Sequence, residues 1–225
     1  MNDVQTILKE LKALGNEKNR SGMARFGIET KRAYGISIPA LRQFAKKTGT
    51  NHRLALRLWD SGFHEARLLA SFIDDPNEVT QRQMERWAKD FDSWDVCDQC
   101  CSVLFDKTKY AEKKAIQWSR RQEEFVKRAG FVLMAALSVH DKKADHSVFE
   151  KFLPLIEEQC SDKRNFVRKA VNWALRQIGK RNIYLNKKAI GSANKIARID
   201  SHTAKWIASD ALRELRNKKL QARLR

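Results

Sequence analysis

The sequence predicts an all-α fold, on three observations. Apolar residues recur at helical spacing through nearly all of its 225 residues. Strand-type alternation bounded by turn residues persists nowhere. Nine Gly and three Pro are too few for an all-β chain, which needs a turn every several residues. With 42% hydrophobic and 32% charged residues, the chain has enough apolar material for a core.

The elements follow in order. Val4-Gln5-Thr6-Ile7-Leu8-Lys9-Glu10-Leu11 mixes apolar and charged residues at helical spacing, unlike the continuously apolar centre of a signal peptide. Leu54, Leu56, Leu58 and Trp59 lead to a break at Ser61-Gly62. Ala66 to Ile73 is a second run, ended by Asp74-Asp75-Pro76. Gln81 to Lys89 reads as a helix, and Asp92-Ser93 as the N-cap of the next. Short helix, polar break, second helix: the order repeats. Glu65-Ala66-Arg67-Leu68-Leu69-Ala70 aligns with Phe125-Val126-Lys127-Arg128-Ala129-Gly130 and with Phe166-Val167-Arg168-Lys169-Ala170-Val171. Trp94-Asp95-Val96-Cys97-Asp98 falls between the first two, and a further helix runs around Thr203 to Leu215. Irregular two-helix repeats spaced by roughly 30–40 residues predict a HEAT-like α-solenoid, because one pair cannot bury its apolar face alone while stacked pairs share a core. The expected organisation is a single solenoid domain over 1–225 with a basic tail, 216–225, able to fray. Its concave surface, built from successive second helices, would be basic and could receive a duplex.

Charge narrows the partner. Lys and Arg number 45 against 27 Asp and Glu, a net of +18. Residues 1–106 hold 16 basic and 15 acidic side chains, whereas 107–225 hold 29 and 12. Positive charge gathered into one half implies a polyanion, most simply nucleic acid. A membrane surface fits less well, since no basic helix presents an uninterrupted apolar face and no run of about 18 apolar residues exists. Four Cys without an export signal suit a reducing cytoplasm, with the thiols reduced and half-buried. Cys97, Cys100, Cys101 and Cys160 with His140 and His146 lack the second close pair that a zinc site needs. A phosphate-cradling Gly-x-x-x-x-Gly-Lys-Ser/Thr loop is absent, and no single Lys stands out as a Schiff-base former. No metal or cofactor is expected.

Two constellations could carry chemistry. Trp94 and Asp98 are i and i+4 and share a helix face. A carboxylate beside an indole can stabilise a cation through its charge and the ring quadrupole. The same pair also reads as a core Trp beside a surface Asp. The second is Asn165, Lys169, Trp173, Arg176 and Lys180, one continuous helical stripe suited to packing on sugar while neutralising phosphates. Its plain reading is a solvated basic face with a semi-buried Trp. Arg128 occupies the repeat position of Lys169, and Arg67, Lys127 and Arg168 form another recurring basic register, a possible ladder for a phosphate backbone.

The order of these motifs resembles the AlkD-like DNA alkylation repair family of HEAT-repeat DNA glycosylases. Met23-Ala24-Arg25-Phe26 and Tyr34-Gly35-Ile36-Ser37-Ile38-Pro39-Ala40-Leu41-Arg42 resemble its opening motif, and Leu58-Trp59-Asp60 follows. Trp94-Asp95-Val96-Cys97-Asp98 resembles its Trp-Asp-x-x-Asp segment, Arg128-Ala129 its Arg-Ala helix, and Lys169-Ala170-Val171-Asn172-Trp173-Ala174-Leu175-Arg176 its Lys-Ala-x-x-Trp-x-Leu-Arg helix. The likeness runs from about residue 20 to 215 in the same order. It departs at Ser93, where family members can carry a second Trp, and at Cys97 between the two Asp residues.

The resemblance implies a monofunctional hydrolase that cleaves the N-glycosidic bond of N3- or N7-alkylated purines in double-stranded DNA, without metal or cofactor. It makes Asp98 the catalytic carboxylate, sets Trp94 and Trp173 against the deoxyribose, and gives nearby phosphates to Arg128 and Arg176. Lys169, Lys180, Lys127 and Arg168 complete the expected DNA contacts, and the protein is expected to act as a monomer in the cytoplasm. Some branches of the family bind DNA without excision, so the alternative is a non-catalytic DNA-structure binder on the same scaffold.

Overall fold

The computed structural model describes residues 3–224, and every regular element among them is helical. The chain divides into two compact units, Met1–Thr108 and Lys109–Arg225. The first holds α1 (Val4–Ala13), α2 (Glu17–Met23), α3 (Ile38–Thr48), α4 (His52–Asp60), α5 (His64–Ile73), α6 (Gln81–Lys89) and α7 (Trp94–Val103). The second holds α8 (Ala111–Ser119), α9 (Glu124–His140), α10 (His146–Gln159), α11 (Asn165–Gly179), α12 (Ile183–Ala197), α13 (His202–Leu215) and α14 (Lys218–Leu224). The helices alternate as the sequence repeats require: α4 leads into α5, α6 into α7, α8 into α9, α10 into α11, α12 into α13.

Polar side chains at the breaks start the helices. Asn51 Oδ1 accepts from the Leu54 amide at 3.0 Å to open α4, Thr80 Oγ1 from Gln83 at 3.1 Å to open α6, and Asn182 Oδ1 from Leu185 at 2.9 Å to open α12. Ser93 stands extended at the N-cap of α7, as the sequence suggests, but its hydroxyl caps no amide. In its place, Asp95 Oδ1 accepts from the Val96 amide at 3.0 Å.

In the first unit Trp59 and Trp87 stack at 3.9 Å between centroids, and the Trp59 indole N–H donates to Asp90 Oδ2 at 2.9 Å. Glu65 of α5 is fully buried. Its carboxylate accepts the backbone amides of Tyr34, Gly35 and Ile36 at 2.8, 2.6 and 3.2 Å, which ties the segment before α3 to α5. A buried anion is stable here because three donors replace its water.

In the second unit α9 is buried along most of its length and packs against α8 and α11. Gly130 lets α8 approach: a Cβ built on it would lie 2.3 Å from the Ser119 nitrogen and 2.8 Å from the Trp118 carbonyl carbon. The basic C-terminal stretch carries α14, seated by buried Leu220 and by Gln221, whose amide donates to Asn186 Oδ1 and to the Leu215 carbonyl. The four cysteines are fully buried thiols, not half-buried as expected, and burial pushes the Cys100 and Cys101 thiols well above their ordinary range. Among the described residues no helix is long and apolar enough to cross a membrane.

Gly130→Ala forces backbone against backbone, which no rotamer change can relieve. It is expected to destabilise the protein by about 2–3 kcal/mol, read as a lower urea midpoint at unchanged slope. A change of less than about 0.5 kcal/mol would contradict the close approach of α8 and α9.

Candidate nucleic-acid interface

The recurring basic register turns inward. Arg67 of α5 is 7% exposed; its Nη1 donates to the Asp90 carbonyl at 2.8 Å and its Nη2 to Asp92 Oδ2 at 2.6 Å, just before α7 begins. Lys127 of α9 is 5% exposed; its Nζ donates to Gln159 Oε1 at 2.9 Å and lies 3.3 Å from Asp162 Oδ2, just before α11. The neighbouring Arg128 is also buried and donates to the Phe166 carbonyl at 2.5 Å, in the first turn of α11. Arg168 of α11 lies over the Trp206 ring of α13 at 5.2 Å and donates to Asn165 Oδ1 at 3.2 Å. Each cation reaches the next second helix or the segment that starts it. The ladder expected to track a phosphate backbone is therefore a set of inter-repeat clamps. Lys127, expected to contact DNA, is buried and engaged by Gln159 and Asp162. Arg128 and Arg168 are likewise oriented by protein partners.

The clamp of Arg67 fixes the start of α7, which carries Trp94 and Asp98. Trp94 is the first residue of the helix and Asp98 lies one turn on; both are partly exposed. The Trp94 indole N–H donates to the Phe26 carbonyl at 3.1 Å, so the ring is oriented by a backbone oxygen. The Asp98 carbonyl accepts from Ser102 Oγ at 2.6 Å. Between them Asp95 turns toward the interior, where Oδ2 stands 2.9 Å from Nε2 of buried His64. Burial alone would raise the Asp95 carboxyl, but His64, Ser93 and the Val96 amide hold it below its ordinary value. His64, Asp92 and Phe26 were not singled out from the sequence as parts of this site. Their chemistry was visible, but their proximity comes from helix packing alone.

In the second unit α11 displays the basic stripe. Lys169 is exposed and has no ion-pair partner among the described residues, and Trp173 is partly exposed. Further along, α13 faces the stripe with Asp210 and Glu214, one turn apart. Arg176 Nη1 donates to Glu214 Oε2 at 2.7 Å and its Nε lies 3.6 Å from Asp210 Oδ2. Lys180 Nζ donates to Glu214 Oε1 at 2.8 Å, and Asn172 Nδ2 to Asp210 Oδ2 at 2.7 Å. Arg213 pairs with Asp210 as well. Glu214 is partly buried, which alone would raise its carboxyl, yet Lys180 and Arg176 hold it below the ordinary range. The acidic pair has helical spacing in the sequence; that it opposes this stripe could not be read there.

Comparison with known proteins agrees with the fold. Residues 7–215 match the family model described as DNA alkylation repair enzyme. The uncharacterized protein Lin0241 of Listeria innocua serovar 6a is 24% identical over 200 residues, covering 87% of each chain. A solved structure superposes with a TM-score of 0.79 at 21% identity, over 94% of this chain and 95% of the other. It is described as belonging to a new family of proteins related to the HEAT-like repeat DNA glycosylases, with affinity for branched DNA structures.

The Asp95–His64 pair has a pH signature. A carboxyl lowered by folding contributes stability above its unfolded value, 3.8, and that contribution is lost as pH falls through the folded value. Asp95→Asn is expected to unfold more readily than the parent at neutral pH and to converge with it in strong acid. Parallel stability curves for the two proteins, measured by urea titration across that range, would contradict the assignment.

Proposed function

The chain belongs to the DNA alkylation repair enzyme family, and from that membership we propose that it is a DNA glycosylase hydrolysing the N-glycosidic bond of cationic N3- or N7-alkylated purines in duplex DNA. The observation that carries this reading is the pairing of Trp94 and Asp98 on one turn of α7, both partly exposed, with the indole held by the Phe26 carbonyl.

Alkylation at N3 or N7 makes the base a good leaving group. The C1′–N bond breaks, its electron pair leaves with the purine, and positive charge develops on the sugar. Water then adds to C1′ and loses a proton. Little acid catalysis is needed. A fixed anion and an aromatic face beside the developing cation lower the barrier. Asp98 supplies the first and Trp94 the second, and the family resemblance makes Trp173 a further aromatic contact to DNA on α11. Lys169, Arg176 and Lys180 are the phosphate contacts on α11, with Arg128 and Arg168 as further cations; Lys127, buried on Asp162, is not among them.

The alternative is a DNA-structure binder that does not excise, and the description of the solved relative favours it. Asp98 separates the two. Asp98→Asn keeps the shape and hydrogen-bonding capacity of the side chain and removes its charge. Single-turnover excision from an N7-methylguanine duplex should slow by roughly 10²–10³, while binding stays equal or tightens slightly. Trp94→Phe should be milder than Trp94→Ala, because an aromatic face survives. Equal rates for the parent and Asp98→Asn would remove the mechanism, and a parent that binds without excising would favour the binder.

Duplex affinity should also depend steeply on salt. If about six to eight phosphates are neutralised, log K against log[salt] should have a slope of roughly −5 to −7. A flat dependence, measured by fluorescence anisotropy, would exclude the basic half as a phosphate surface.

A further inference from the structure

An open groove of about 750 Å³ lies at the C-terminal end of the second unit, lined by Lys180, Arg213, Glu214, Asn217, Lys219, Leu220 and Arg223. Four of these side chains are cationic and one is anionic. The anion is already committed, since Glu214 receives Lys180 and Arg176. Arg213 is balanced by Asp210. Among the described residues Lys219 and Arg223 have no ion-pair partner. They are i and i+4 on α14, a like-charge spacing that is destabilising in itself. The helix is nonetheless docked firmly, by buried Leu220 and by Gln221 on Asn186 and the Leu215 carbonyl. Asn186 in turn donates to the Gly179 carbonyl at 2.9 Å, which ties the docking of α14 to the end of α11. An anchored helix thus holds two cations without an ion-pair partner among the described residues against an open groove.

We propose that this groove is a second phosphate-binding site, which takes the sugar–phosphate backbone of duplex DNA flanking the nucleotide engaged by α11. The inference rests on the DNA-binding reading above and names a contact surface which that reading does not include. Lys180 belongs to both surfaces. It lies seven residues beyond Trp173, about 10 Å along α11, or about three base pairs of duplex. A backbone following the stripe from Trp173 past Arg176 reaches Lys180 and enters the groove there. Lys219 and Arg223 then neutralise phosphates that the stripe cannot reach. Glu214 sets the entry: it orients Lys180 without cancelling the surplus of the groove.

Salt-dependent duplex binding tests the proposal on the full chain with three variants. Lys219→Ala/Arg223→Ala removes both groove cations and leaves Leu220 and Gln221 in place. It is expected to reduce the salt slope by about 2 and to weaken binding at 0.1 M salt by roughly ten- to a hundred-fold. Lys46→Ala/Lys47→Ala removes the same charge from exposed positions on α3 and should weaken binding much less. Lys219→Arg/Arg223→Lys keeps both charges and should bind like the parent. Equal losses in the two alanine pairs would reduce the effect to net charge and overturn the site. A loss in the charge-conserving swap as large as in Lys219→Ala/Arg223→Ala would make α14 structural and overturn it too. A parent that binds DNA with a slope the groove variant leaves unchanged overturns the groove alone, whereas a parent that binds no DNA overturns the DNA reading with it. If anionic phospholipid vesicles retain the parent and not the groove variant, while DNA binding is equal in both, the groove serves a membrane and the proposal fails.

Discussion

A cation buried between successive repeats is the interaction on which the geometry of both candidate surfaces depends. Arg67 closes on the Asp90 carbonyl and Asp92 immediately before α7, and Lys127 closes on Gln159 and Asp162 immediately before α11. The helices so placed are the two that carry Trp94 with Asp98 and Trp173 with the basic stripe. In a stack of helix pairs the apolar seam fixes distance well and rotation poorly, because Leu, Ile and Ala contacts tolerate sliding. A directional charge-assisted bond at the head of a helix fixes its register. Removing one partner of such a buried pair leaves the other charge uncompensated, so the clamps resist loss even where they add little net stability. Arg164 strengthens the second one: it pairs with Asp162 and donates to the Gln122 carbonyl, which links the start of α11 back to the loop before α9.

Paired cations can still bind phosphate. Arg176 and Lys180 share Glu214, and Arg176 also approaches Asp210. These pairs are part-exposed, so water and salt screen them and they hold little net energy. What they fix is direction. A guanidinium and an ammonium held side by side lose less rotamer freedom when a phosphate arrives than two unrestrained side chains would. The cost is that Glu214 also faces the incoming anion. With Arg176, Lys180 and Arg213 set against Glu214 and Asp210, the local balance still favours the phosphate.

Much of the fold was legible in the sequence. Periodicity and breaks place α6 at Gln81–Lys89 and start α7 after Ser93, and repeat alignment pairs the heads of α5, α9 and α11. Helical spacing puts Trp94 with Asp98 and lays Lys169, Trp173, Arg176 and Lys180 along α11. What could not be read was the direction of a cation. Lys127 and Lys169 are both lysines on repeat helices, yet one is buried on Asp162 and the other exposed. The distinction lies in which neighbour each helix face meets, a long-range property that local spacing does not encode. The role of α13 was hidden for the same reason: Asp210 and Glu214 are ordinary i, i+4 carboxylates until α11 is set against them. The tail, read as able to fray, carries α14, because Leu220 and Gln221 supply anchors that its lysines and arginines obscure in the composition.

The uneven charge of the chain then acquires a physical reason on the proposed reading. A carboxylate that must stand beside a sugar in a polyanion repels the substrate it serves. Residues 1–106, which hold Asp98, are nearly balanced at 16 basic and 15 acidic side chains, while 107–225 carry 29 against 12. Attraction works over about a Debye length, near 10 Å at 0.1 M salt, and need not come from the residues nearest the bond that breaks. Transition-state stabilisation works at contact distance and does depend on them. Assigning attraction to one half of the sequence and the anion to the other lets both requirements be met. On that reading a net charge of +18 and a carboxylate that acts at contact distance are compatible in one chain.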